Sequence, residues 1–201
     1  MSKRYEGMTK VPDMPAARML AEHGFELDTR VKAPASAKPE AVLAELDDAQ
    51  AWPDVLKVLA AILPARERIW WACLAARDLP GTDPDKPHAA LAAAEDWVRR
   101  PTAENRERAQ AALDHLKPKD PMGKLAMAVV YAEGTLGPGE LSEMPAPPGG
   151  SQIMALMVNV DALKARREES KVYTQLVIDR AVDIARGGNG KIETVTAGEE
   201  G

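Results

Sequence analysis

A single cysteine, Cys73, stands in the whole chain. No internal disulfide can form, and a lone thiol in an apolar helical stretch fits a reducing compartment. Aromatic residues are scarce as well, with one Phe, three Tyr and four Trp among 201 residues. Strands draw on aromatic and β-branched residues, so this scarcity beside abundant alanine argues for helices. No apolar run approaches the ~20 residues that cross a bilayer; the stretch Ile153 to Val160 is interrupted by Asn159 and followed by Asp161. Lys3, Arg4 and Lys10 stand near the start without the apolar region of a signal peptide. A cytoplasmic protein with no membrane insertion is expected. A basic excess is also missing. The formal net charge of −5 disfavours nucleic acid or an anionic membrane as partner, while leaving room for a local basic patch.

Motifs of chemistry are missing too. The three histidines, His23, His88 and His115, have no second His at i+3 or i+4 and no cysteine pair, so a metal site is not expected. Cys73 falls mid-helix with no base beside it in sequence, which suits a small buried hydrophobe better than a nucleophile. The carboxylate groups Glu45, Asp47, Asp48 and Glu168, Glu169 read as solvated helix faces. Gly187-Gly188-Asn189-Gly190-Lys191 only superficially resembles a phosphate loop. It follows a helical stretch instead of preceding one, and Ile192 stands where Ser or Thr is needed. No catalytic, cofactor-binding or metal-ligating residue is assigned, and no cofactor is expected.

What is present is a succession of helical patterns opened by proline or by a capping residue. Met14–His23 is expected as a first helix closed by Gly24. Pro39 opens a helix to about Asp48, Pro53 the next, and Pro64 ends that one and starts another through Arg77. After a turn-rich stretch at 79–86, Pro87 opens a further helix, Thr102 caps the next, and Asp120-Pro121 starts one that Gly134 ends. Ser151 is expected to cap a helix carrying Ile153, Leu156, Met157, Val160 and Leu163. A last helix runs from Val172 to Arg186. The fold class is therefore all-α, a multi-helix bundle or irregular array of helical hairpins, with seven to nine helices and essentially no sheet. Residues 1–134 form an N-terminal array whose first dozen residues read as loose. Residues 135–150 form a Pro/Gly-rich linker loop, 151–187 are C-terminal helices packing on the same core, and 188–201 are a disordered tail.

The densest signal is Leu63–Arg77, with adjacent tryptophans. Neighbouring helical residues point about 100° apart, so Trp70 and Trp71 cannot both enter one seam. Trp70, sharing a face with Cys73 and Leu74, is expected in the core, and its truncation to cost about 3–5 kcal/mol. Trp71 is left for a partner. The helix from Ser151 is apolar over more than one stripe, which marks either a central helix or a partner-covered one. Met154, Met157 and Val158 are its candidate partner-binding residues, beside the loop before them.

Leu63–Arg77, the break at 145–150, and Val177-Ile178-Asp179-Arg180-Ala181-Val182-Asp183-Ile184-Ala185-Arg186-Gly187 together resemble a family of uncharacterised bacterial proteins. It is a helical domain of unknown function often found near type VI secretion genes. The resemblance carries no active-site residue. It implies a bacterial accessory protein, an adaptor or chaperone of a secretion system, whose partner is a secretion component or effector. The function expected is a non-enzymatic protein-interaction module. The alternative is a small enzyme assembled from the scattered histidines and carboxylates, which requires a His and a second such group to converge in one pocket.

Overall fold

The computed structural model describes residues 3–83 and 85–192. Among them the chain forms nine α-helices and no strand: α1 Ala16–Glu22, α2 Pro39–Asp48, α3 Trp52–Ile62, α4 Ala65–Arg77, α5 Ala89–Arg99, α6 Ala103–Asp114, α7 Gly123–Val130, α8 Gly150–Ala165 and α9 Ser170–Ala185. Local chemistry sets their starts. Pro39 occupies the first turn of α2, and Pro53 that of α3, where a missing N–H costs nothing. Thr102 Oγ1 accepts the Asn105 N–H at 3.3 Å to cap α6, and Asp120 Oδ1 accepts the Met122 N–H at 2.9 Å just before α7. Pro87 only precedes the start of α5. The cap itself is His88, whose Nδ1 accepts the Ala90 N–H at 3.2 Å.

Four helices, α3, α4, α7 and α8, share the centre of the array, each packing against four others. α3 contacts α1, α2, α8 and α9, while α4 contacts α5, α7, α8 and α9; α6 lies outside, against α5 and α7. Fully buried alanines at helix contacts (Ala60, Ala72, Ala90, Ala109, Ala126, Ala155, Ala181) let these helices approach closely, and larger side chains such as Leu43, Leu59, Ile69, Trp71 and Leu125 fill the space between. Leu63 and Pro64 alone separate α3 from α4.

The segments expected to be loose are tied down. At the N-terminus, Arg4 reaches Asp47 on α2 at 3.2 Å and Asp179 on α9 at 2.6 Å. Arg186 Nη2 donates to Arg4 O at 2.6 Å, and Tyr5 and Met8 are buried. Apolar anchors at Tyr5 and Met8, three residues apart, outweighed the polar composition around them. Residues 134–150 fold back on themselves, since Leu136 N donates to Met144 O at 2.8 Å and Ala146 N to Gly134 O at 2.9 Å. They make a closed loop with a 3-10 turn at Gly139–Glu143. The start of the tail is docked too. The Gly188 N–H donates to Asp183 O at 2.8 Å, the Gly190 N–H to Asp183 Oδ2 at 2.8 Å, and Gly190 is buried. The remainder of the expected disordered tail, 193–201, lies outside the described residues.

A buried carboxylate holds the irregular stretch before α2. Asp54, on α3 and nearly inaccessible, accepts from the backbone N–H groups of Asp28 at 3.1 Å and Thr29 at 2.7 Å and from Lys57 Nζ at 2.9 Å. Burial opposes its charge, but the bonds from Lys57, Thr29 and Asp28 outweigh burial and hold its carboxyl below the usual range. With the folded value below the unfolded one, its contribution is complete above the ordinary carboxylate range and is lost as pH falls through the folded value. Asp54→Asn is expected to destabilise by about 1–3 kcal/mol at neutral pH. Its deficit against the parent should shrink at pH 3, which urea denaturation at the two pH values measures.

Candidate functional site

The adjacent tryptophans exchange their expected places. Trp71 is fully buried, and its Nε1 donates to Val177 O on α9 at 2.9 Å. It is a core residue and not a partner contact. Trp70 is half-buried on the solvent edge of α4, in a row with the exposed Arg66 and Arg77. The reason is that helices pack around most of the circumference of α4, leaving one strip open, and that strip runs through position 70. Val158 is likewise corrected: it is buried on a face of α8, which contacts α3, α4, α7 and α9. Met154 and Met157 are half-buried, and Ile153 is the more exposed residue of that turn. Ser151 is not the cap of α8. The cap is Gly149 at φ +67, while the buried Ser151 hydroxyl donates to Ala128 O at 2.7 Å.

Over Trp70 lies an open cleft of about 420 Å³. α4 contributes Arg66, Glu67, Trp70 and Arg77, α5 contributes Glu95, Val98 and Arg99, and the end of α9 with the docked tail adds Ile184, Gly187, Gly188 and Lys191. Lys10 closes one side. The tail is fixed to the indole itself, because Trp70 Nε1 donates to Asn189 O at 2.7 Å. This is possible because Gly187 (φ +96) and Gly190 (φ +67) turn the chain back beneath α9, and at Gly190 a Cβ would come within 2.7 Å of Leu74.

The cleft inverts the charge of the chain. Five cations, Lys10, Arg66, Arg77, Arg99 and Lys191, face two carboxylates, Glu67 and Glu95, in a protein of net charge −5. Glu95 is buried and bound by Arg77 Nη2 at 2.6 Å, and Arg99 pairs with Asp96 at 2.7 Å and lies 3.6 Å from Glu95, so among the described residues the uncompensated cations are Lys10, Arg66 and Lys191. Arg77 also stands 5.8 Å from the Trp70 ring centroid. Lys10 and Lys191 make no ion pair among the described residues. The arrangement can hold an anionic group against an aromatic floor, with the surplus positive charge in solvent-facing side chains.

The histidines divide. His23 stands on a separate cavity, beside Arg68. His88 and His115 do share a shallow depression between α5 and α6, floored by Ala92, Ala93, Ala112 and Leu116. Each ring serves its own helix, His88 as the cap of α5 and His115 through a 2.7 Å contact of Nδ1 with Ala111 O; His88 Nε2 lies 3.5 Å from Asp120. Cys73 is fully buried, and burial pushes its thiol well above the ordinary range. Among the described residues no group of three or more His, Cys, Asp or Glu side chains is placed to hold a metal ion. No helix among them is long and apolar enough to cross a membrane.

A family model described as a family of unknown function (DUF6931) matches residues 42–185, so the chain belongs to that family. The match begins within α2 and ends with α9. It includes Trp70, Arg77 and Glu95, while Lys10, Gly187 and Lys191 lie beyond it. No curated protein and no solved structure matches the chain.

Proposed function

We propose that this chain is a non-enzymatic helical interaction module that takes an acidic segment of a partner protein in the cleft over Trp70. The observation that carries this reading is the local charge inversion: on a net acidic chain, Lys10, Arg66 and Lys191 line one cleft with no ion pair among the described residues, beside the paired Arg77 and Arg99. Such a surface attracts an acidic segment while the rest of the molecule repels a nucleic-acid backbone. The half-buried indole adds an apolar contact of the kind enriched at binding hot spots. A bacterial cytoplasm, and service as adaptor or chaperone to a secretion system, form the proposed setting, which rests on the family resemblance of Leu63–Arg77 and Val177–Gly187. The enzyme alternative has two observations in its favour, the depression shared by His88, His115 and Asp96 and the cavity shared by His23 and Glu22. It is the weaker reading because His88 and His115 are engaged by their own helices, while the His23 ring contacts Gln152 at 3.2 Å and Glu22 is paired with Arg18.

The test is calorimetric titration of the full chain with a synthetic Glu/Asp-rich decapeptide and with its Lys-rich counterpart. The acidic peptide is expected to bind and to weaken as salt rises. The double variant Lys10→Glu, Lys191→Glu changes two exposed side chains and is expected to weaken binding at least tenfold, about 1.4 kcal/mol. Equal binding of the two peptides, or unchanged binding by the double variant, overturns the proposal.

A further inference from the structure

We infer that the cavity between His23, Arg68 and the first turn of α8 is a binding site for a small-molecule carboxylate with an apolar body. It shares no lining residue with the Trp70 cleft.

Arg68 is the first observation. It lies on α4, 4 % exposed, and its guanidinium meets only neutral oxygens, Leu63 O at 2.7 Å and Ser151 Oγ at 3.1 Å. Its Nε–H has no acceptor, and it joins no ion pair among the described residues. A buried cation without a counter-charge is costly to keep, and the cost is felt as a guanidinium pKa pushed down to about 10 by burial. Other buried or half-buried arginines of this protein, such as Arg106, Arg180 and Arg4, are each paired with a carboxylate. Arg68 instead lines a cavity of about 310 Å³.

The second observation is independent of Arg68. The 16-residue helix α8 begins on the same cavity, which Gly149, Gly150, Ser151 and Gln152 help to line. The first N–H groups of a helix have no intrahelical acceptor and form its positive end; here Gly150 N–H donates to Pro147 O at 2.9 Å, which leaves those of Ser151 and Gln152 without a backbone acceptor among the described residues. Two glycines bring this end in close. A Cβ at Gly149 would lie 2.1 Å from His23 O, and one at Gly150 would lie 3.1 Å from Tyr131. The buried cation and the helix end thus border one half-open cavity from two sides.

The remaining lining selects the ligand. Glu22 stands at the rim, tied to Arg18 at 2.8 Å, and disfavours a dianion. His23 adds no charge at neutral pH, since burial and the neighbouring Arg68 hold its imidazole below the usual range. One full cation and one helix end therefore suit a monoanion. The lining also carries the apolar side chains of Tyr131, Ala132, Ala146, Pro147 and Pro148, and the volume leaves room beyond a bare carboxylate.

The probe is benzoate, titrated into the ¹⁵N-labelled full chain beside benzyl alcohol, inorganic phosphate and chloride at matched ionic strength. Benzoate is expected to shift the amides of Gly149–Gln152 and the His23 ring saturably, at least tenfold more tightly than benzyl alcohol. Arg68→Met exchanges an uncompensated buried cation for an apolar chain, so the variant is expected to fold and to bind benzoate at least tenfold more weakly. Gln152→Glu replaces the amide that contacts the His23 ring at 3.2 Å with a negative charge at the half-exposed rim, should leave the fold intact, is read at the amides of Gly149–Ser151, and decides the matter if the Arg68 variant does not fold. The proposal is overturned if benzoate gives no saturable response, if benzyl alcohol or chloride reproduces it, if phosphate binds in its place, or if Gln152→Glu binds benzoate like the parent.

Discussion

Trp71→Ala is expected to be among the most damaging single substitutions in this chain, costing about 3–5 kcal/mol. At this size such a loss lowers the melting temperature by roughly 10 °C. The indole is wholly enclosed where α4 meets α9, and its N–H satisfies the Val177 carbonyl at 2.9 Å. Truncation leaves a large cavity and removes the hydrogen bond that ties α4 to α9. Trp71→Phe should recover much of the volume but not the hydrogen bond, and so fall between parent and alanine variant. Trp70→Ala, half-buried and bonded to the tail, should cost no more than about 2 kcal/mol. Thermal melts of the three variants give the order. A Trp70 variant less stable than the Trp71 variant contradicts the assignment of core and cleft.

Arg106→Ala is the second substitution with a large expected effect. Arg106 is nearly inaccessible on α6 and gathers the end of α7 and the start of the 134–150 loop. Its Nε donates to Val130 O at 2.8 Å, Nη2 to Thr135 Oγ1 at 2.6 Å, and Nη1 pairs with Glu133 at 3.0 Å. Removing it strands buried carbonyls and unfastens the loop, at about 2–4 kcal/mol. Arg106→Lys keeps the charge but cannot reproduce the forked donors, so it should recover less than half. Hydrogen exchange locates the damage. Amides of Leu136 and Ala146, which close the loop, should lose protection first. Loss of protection spread evenly over all the helices would show that Arg106 does not hold this loop in particular.

How much of this was legible in the sequence depends on how local each determinant is. Helix starts are written locally, so Pro39, Thr102 and the Pro64 break fall where they were expected, and the all-α class follows from them. Tertiary contacts between residues far apart in sequence are not written that way. Tyr5 and Met8 look like isolated apolar residues in a polar stretch until α2 and α9 are brought against them. Gly187–Gly190 reads as a helix stop and flexible tail because nothing nearby shows that Asp183 and Trp70 will bind it back. The Trp70/Trp71 inversion has the same origin. Periodicity identifies a one-sided helix well, but α4 is enclosed on most sides, and the residue to watch was the solvent-seeking Arg77, seven positions after Trp70. Arg68 left a fainter signal, an arginine inside an apolar helix with no acidic residue at i+3 or i+4 to pair with it. The cleft itself was out of reach, because its cations come from positions 10, 66, 77, 99 and 191 and only folding collects them.

The most direct test of the proposed cleft follows the tryptophan indole N–H signals of ¹⁵N-labelled protein while the acidic decapeptide is added. Trp70 and Trp71 are adjacent in sequence but opposite in role, one bonded to the docked tail over the cleft and the other sealed against α9. The expected result is a saturable shift of the Trp70 signal, assigned by Trp70→Phe, with the Trp71 signal unmoved and the Trp70 response abolished in the Lys10→Glu, Lys191→Glu variant. A peptide that binds while the Trp70 signal stays still, or that moves the Trp71 signal instead, contradicts the assignment of the interaction surface to this cleft.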